Sequence, residues 1–194
     1  MLKNSLINLN RRVAAAVLLA SALAPAAWAD QTIDPAQSEV TFVAKQLGVP
    51  LDGAFKRYSV QMAFDPKKPA DSRVALQIDL GSVAVNVDAD RELRQPAWFN
   101  TAGFPKATFQ STTVKAVSRD HFNVTGKLSI KGQVRDVTIP VQMAQLNGVT
   151  VAQGAFTLKR LDFKVGEGDW ADTSVVANDV QVRFKLVIKG VPAL

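Results

Sequence analysis

No cysteine occurs among the 194 residues. Its absence excludes disulfides, cysteine nucleophiles, thiolate metal sites and lipid attachment at an N-terminal cysteine. Histidine occurs once, as His121, so a zinc centre built from histidine and cysteine cannot be assembled. That imidazole lies beside Asp120 in a predicted surface turn. No serine stands in a G-x-S-x-G elbow, and no glycine-rich loop opens a helix toward a phosphate. The segment Gly166-Glu167-Gly168-Asp169-Trp170-Ala171-Asp172 lacks the alternating ligands and distal glutamate of a calcium loop. These absences predict a protein that is not an enzyme and has no metal or cofactor. Long apolar runs are missing too: the uncharged apolar run Val13 to Ala24 ends at Pro25 and falls short of the roughly 20 residues that span a bilayer.

That run nevertheless has a reading. Lys3, Arg11 and Arg12 precede it, and Ala27-Trp28-Ala29 follows Pro25 with the small-x-small pattern of a signal-peptidase site. Residues 1–29 are therefore predicted to be a cleaved signal peptide, and residues 30–194 a single exported domain, with the periplasm as its destination. Removing the leader changes the charge. The whole chain has 23 Lys and Arg against 17 Asp and Glu; three of the basic residues lie in the leader, leaving 20 against 17, or +3. No basic cluster with interleaved aromatics remains, which argues against nucleic acid as a partner.

What is present is period-two alternation. Tyr58, Val60, Met62 and Phe64 alternate with small or polar residues, and Val74, Leu76, Ile78 and Leu80 do the same. Phe122, Val124, Leu128 and Ile130 share a face, as do Val137, Ile139, Val141 and Met143. Val180, Val182, Phe184, Leu186 and Ile188 oppose Gln181, Arg183, Lys185 and Lys189. Weaker runs lie at 40–45, 107–114 and 151–161. Asp65-Pro66-Lys67-Lys68-Pro69, Ser118-Arg119-Asp120, Lys131-Gly132 and Asn147-Gly148 separate the runs as turns, and Pro140 implies a bulge or an exposed edge in its strand. About eight antiparallel strands with one wet and one dry face predict an all-β fold, closed as a barrel or split into a sandwich. One stretch departs: residues 88–95 read as a short helix capped by Asp88 and stopped by Pro96, with Trp98 and Phe99 at its exit. Such an insertion suits a lid over one end.

The dry faces carry Phe42, Met62, Phe64, Phe122, Met143, Phe156 and Phe184, which either fill a core or line a cavity. Trp98, Phe99, Phe104, Phe163 and Trp170 lie in or beside loops, where the mouth of an apolar site would need them. A membrane-embedded barrel would share the alternation. It predicts apolar outer faces, aromatic girdles and strands of roughly 9 to 11 residues; the runs are mostly shorter, tyrosine occurs once, and the chain ends in Val-Pro-Ala-Leu194. No stable membrane insertion is expected.

Several segments together resemble the YceI-like family of bacterial periplasmic lipid-binding proteins. They are Phe55-Lys-Arg-Tyr58 with Phe64-Asp-Pro66, Trp98-Phe-Asn-Thr-Ala-Gly-Phe-Pro105 with Ala107-Thr-Phe109, and Val124-Thr-Gly-Lys-Leu-Ser-Ile-Lys-Gly132 with Val137-Thr-Ile-Pro-Val141. Asp162-Phe163 and the tail 172–184 complete the set. The resemblance implies a lipocalin-like antiparallel barrel with a short helical insertion. It also implies a tunnel for a long-chain isoprenoid, such as a polyprenyl phosphate or quinone, or for a fatty-acid-type lipid. On that reading the partner is a long apolar small molecule, and Phe55 joins the ligand-facing set. Arg91, Arg94 or Lys45 would meet a phosphate or a quinone carbonyl near the mouth. Ser82-Val-Ala-Val-Asn86 and Asp90-Arg91-Glu92-Leu93 depart from the usual family wording, lacking its histidine. A ligand-free structural or stress-related interaction protein with a filled core shares every strand feature, and a homodimer paired through an exposed edge stays open.

Overall fold

The computed structural model describes residues 31–194, and the predicted leader lies outside the described residues. The first half of the domain contains β1 (Thr32–Ile33), β2 (Glu39–Gln46), β3 (Val49–Phe55), β4 (Tyr58–Ala63), β5 (Arg73–Asp79), β6 (Val83–Ala84) and α1 (Val87–Leu93). Five strands follow: β7 (Lys106–Ala116), β8 (His121–Ile130), β9 (Gln133–Leu146), β10 (Val149–Lys159) and β11 (Asp179–Lys189). All eleven belong to one antiparallel sheet in the order β4-β5-β7-β8-β9-β10-β11-β2-β3-β6, with β1 beside β11. The eight runs read from the sequence are all strands; β3 and the two-residue β1 and β6 make up the difference.

The sheet curls so that its dry faces enclose one interior, giving the lipocalin-like barrel. Among the described residues no ladder joins β4 to β3 across the two ends of the order. The chain itself crosses there at Lys56-Arg57. Farther along, Gln31 clips the wall: its side-chain amide donates to the Phe64 carbonyl at 2.7 Å and accepts from the Phe64 N–H at 3.0 Å.

Three hairpins close with two-residue loops in which both residues have positive φ: Leu47-Gly48 (49° and 79°), Lys131-Gly132 (47° and 73°) and Asn147-Gly148 (52° and 76°). This is the type I′ signature, whose twist matches that of the flanking strands. A bulge between Ser111 and Thr113 inserts one residue into β7. It moves the dry face from Ala107, Phe109 and Ser111 to Val114. The longer strands exceed the runs read from the sequence, but their outer faces carry Gln110, Lys127, Arg183 and Lys185, all exposed or half-exposed. A lipid-facing band requires the opposite pattern.

Burial is graded along the strands, and the gradient separates a filled end from a hollow one. On β11, Val180, Val182 and Phe184 are only partly covered, whereas Leu186 and Ile188 are buried. On β10, Leu158 and Phe156 are partly covered, whereas Ala152 and Thr150 are buried. At the filled end Phe122 (2% exposed) meets Phe64 edge-on at 5.0 Å, and Val114 is 1% exposed. The C-terminal tail seals this floor, with the Gln145 amide donating to the Val191 and Pro192 carbonyls. The opposite end carries α1.

The helix begins earlier than the sequence reading has it. Asn86, not Asp88, is the cap, its side chain accepting from the Ala89 N–H at 2.9 Å. Asp88 sits in the first turn, and the Asp90 carboxylate accepts from the Val85 N–H at 2.6 Å, pinning the approach to the helix.

Candidate functional site: an apolar cavity under the helix

The hollow end is a cavity of about 640 Å³. Its wall is built from dry-face residues of β2 to β5 and β7 to β11, for the reason given by the gradient: these side chains point inward and meet no opposing neighbour. Volumes of roughly 300–1,000 Å³ with apolar walls are typical of small-molecule sites. A barrel core held together by packing alone has few voids larger than a water molecule. The cavity therefore counts against the filled-core reading.

Most of the residues singled out in the sequence converge on this space. Phe42, Phe55, Met62, Phe64, Met143, Phe156 and Phe184 line it from the strands and their ends. Trp98, Phe99, Phe163 and Trp170 line it from the segments that follow α1 and β10. The aromatics also support one another: Phe42 lies 5.4 Å from Phe55, Phe55 lies 6.0 Å from Phe99, and Trp98 lies 5.4 Å from Trp170. Phe122 is a correction, since it belongs to the floor beneath the cavity and not to its lining. Phe104 is another: it is exposed and packs over Gly132 on the outside.

The basic residues divide in the same way. Lys45 and Arg91 stand at the rim, where the β2–β3 hairpin faces α1. Arg91 already pairs with Asp88 at 3.0 Å, both side chains being largely exposed, and a pair in that setting contributes little. Arg94 does not line the cavity; it is the C-terminal cap of α1.

Arg160 is the charged residue that sequence reasoning missed. It lines the cavity and is 2% exposed. It opens the 3-10 turn Arg160–Phe163 after β10. Its Nε donates to Ala177, one terminal nitrogen to Val165 and Gly166, and the other to Trp170 and Val176, at 2.6 to 3.1 Å. All five N–H groups thus meet backbone carbonyls. Burial pulls its pKa below the ordinary arginine value, yet a guanidinium in a protein stays charged. Trp98 lies under it at 5.6 Å, in cation–π range. Gly166 fits between them at φ 79°, where a Cβ would collide with Arg160. A signal was available: Gly154, Phe156, Leu158 and Arg160 share one parity, so the alternation places a charge on the dry face.

The single histidine does not build a nucleophile. Asp120 contacts His121 Nδ1 at 2.8 Å, and Ser118 approaches the same nitrogen at 3.2 Å while donating to Asp120. A serine activated by histidine needs the other ring nitrogen. The trio is exposed at the β7–β8 turn, where the hydrogen bond from His121, then that from Ser118, holds the Asp120 carboxyl below its usual range. Among the described residues no group of three His, Cys, Asp or Glu side chains is placed to hold a metal.

Comparison with known proteins bears on this cavity. The sequence profile of the YceI-like domain matches residues 31–188. A UPF0312 protein of Azotobacter vinelandii is 35% identical over 136 residues, 66% of this chain and 71% of that protein. The chain spans about half the length (55%) of the Escherichia coli protein YceI that it also matches. The crystal structure of Burkholderia cenocepacia BcnA is similar with a TM-score of 0.78 at 40% identity, covering 80% of this chain and 99% of that one. A polyisoprenoid binding domain from Saccharophagus degradans, implicated in plant cell wall breakdown, shares the fold with a TM-score of 0.65 at 22% identity, covering 82% and 98%.

Proposed function

The chain belongs to the YceI-like domain family, and from that premise we propose that it is a periplasmic carrier of one long apolar molecule held inside the barrel. The guest is an isoprenoid, such as a polyprenyl phosphate or a quinone, or a fatty acyl lipid. The observation that carries this reading is the apolar cavity of about 640 Å³, filled at one end and bounded at the other by α1 and the β2–β3 hairpin. Burying a hydrocarbon chain there gains about 0.8 kcal/mol per methylene, so affinity needs no covalent bond. The polyisoprenoid binding of the Saccharophagus degradans domain supports the isoprenoid class. The leader pattern at residues 1–29 supports export, and α1 stands where a lid would regulate exchange.

Native mass spectrometry of the purified protein, followed by solvent extraction and lipid analysis, tests the reading. We expect a one-to-one complex that releases a polyprenyl, quinone or fatty acyl species. Recovery of empty protein alone, with no uptake of such lipids on incubation, would overturn it.

A further inference from the structure

We propose that the floor of the cavity is a chain-length stop, formed by Phe64 and Ala152, which sets the longest hydrocarbon chain the barrel buries. The proposal rests on the apolar-guest reading and adds to it which end of the guest enters first and how far it reaches.

The lining ends at one layer. Met143, Ala152 and Leu186 are the deepest lining residues of β9, β10 and β11, and they are direct cross-strand neighbours. Phe64 has the same place below β4. The next inward positions on β10 and β11, Thr150 and Ile188, are 0% exposed and do not border the cavity. Nothing in this layer suits a polar end. The buried hydroxyls of Ser72, Ser111 and Thr150 lie outside the lining, and each already accepts a protein hydrogen bond at 2.8 to 3.1 Å. A guest oxygen brought to the floor would lose its water and gain no donor. The guest therefore enters hydrocarbon first and keeps its polar end at the rim, beside Lys45 and Arg91.

Phe64 is held in place. It lies just beyond the end of β4, 4% exposed, with its ring edge-on against Phe122 at 5.0 Å. The Gln31 side chain pins its backbone, donating to the carbonyl at 2.7 Å and accepting from the N–H at 3.0 Å. The next N–H, that of Asp65, donates to Ser72 Oγ at 3.1 Å. With its backbone tied and Phe122 behind it, the ring retreats from an incoming chain only by breaking these contacts. Ala152 acts in the opposite sense, since its methyl leaves room that a larger side chain would fill. The strands set the depth. Lining residues run from Ala152 to Leu158 on β10 and from Leu186 to Val180 opposite them on β11. Six residues span about 20 Å along the strand, or about 15 Å along the axis at the usual barrel tilt. That is about half the hydrocarbon thickness of a bilayer, the depth one fatty acyl chain fills. A longer chain leaves its excess outside the mouth.

The test measures affinities of the purified, lipid-stripped protein for two probe series delivered from cyclodextrin. One is the saturated fatty acids from decanoic to docosanoic acid; the other is farnesol, geranylgeraniol and solanesol. In the wild type we expect each added methylene to tighten binding by up to about fourfold until the chain meets the stop, and to add little beyond it. The break should fall between dodecanoic and octadecanoic acid, and solanesol should bind no more tightly than geranylgeraniol. Phe64→Ala opens space beneath the end of the chain, because a packed core relaxes only partly around a deletion, and should move the break longer by about two carbons or more. Ala152→Leu projects into the cavity and should move the break shorter. Loss of stability alone does not move the chain-length profile. Should one variant not fold, the other decides. A smooth climb in affinity with no break, or a break that stays in place in both variants, would overturn the stop. Failure of every probe in both series to bind the wild type would instead overturn the proposed function.

Discussion

The Tyr58 hydroxyl is buried without a partner, and Tyr58 does not line the cavity. A guest in that cavity does not meet it, so it is a cost to the folded protein. Burial foremost, and then the charge of Glu39, raise its pKa above the ordinary 10.0. A phenol whose folded pKa is raised contributes stability that is complete below the unfolded value. That stability is lost as pH climbs from about 10 through the folded value. Tyr58→Phe should therefore raise stability at neutral pH by about 1 kcal/mol and flatten the loss above pH 10, both measurable by urea unfolding across pH. Gly166 is the converse case. A side chain at its φ of 79° is strained, and its Cβ would meet Arg160. Gly166→Ala should cost at least about 2 kcal/mol, read by thermal melting, and should perturb Trp98 fluorescence. Neither role is legible in the sequence. Alternation marks Tyr58 as inward-facing but is silent on whether its hydroxyl finds a partner, and a glycine within a glycine-rich loop looks like any turn residue. Arg160 is legible, because parity along β10 places it inside.

At the scale of elements, strands with clean alternation lie where the sequence puts them, and those without it escape notice. β3 reads Val-Pro-Leu-Asp-Gly-Ala-Phe, with proline and glycine inside it and no alternating dry face. The hairpin leading into it turns at Leu47-Gly48, which lacks the asparagine that announces Asn147-Gly148. Pro140 implies a bulge or an edge. It pairs with Asn123 on one side, and on the other the β9–β10 ladder ends at Val141 opposite Gly154, so its missing N–H leaves no ladder bond unmade. The helix start is ambiguous by two residues because Asn86 and Asp88 are both good caps. The contact between Asp90 and the Val85 N–H, invisible in a linear reading, selects the first. Removing that cap by Asn86→Ala should weaken α1 by about 1 kcal/mol. Amide exchange across residues 89–93 should then quicken about fivefold, the rate equivalent of that loss, while exchange in β8 and β9 stays unchanged.

Period-two patterning is the same for a filled barrel and a hollow one, which is why alternation allows a cavity without requiring one. What distinguishes the two is how the ends of the sheet are capped. Phe122, Phe64, Val114 and the tail at Val191 close one end, whereas α1 spans the other without filling it. This asymmetry divides stability from binding. Phe122→Ala removes a ring packed on every side and should cost about 3–5 kcal/mol, while affinity for a long-chain lipid per folded molecule changes little. Phe156→Ala removes a ring that already faces empty space on one side, so its cost to the empty protein should be well below that of Phe122→Ala. Its effect should appear on loading instead. A guest at about 100 times its Kd adds about 2.7 kcal/mol to a folded protein. At one fixed lipid concentration, Phe156→Ala should show a smaller rise in Tm than the wild type, and Phe122→Ala the same rise from a lower start. Equal losses of empty-state Tm in the two variants would mean that the cavity is filled in solution, with the barrel collapsed around Phe156.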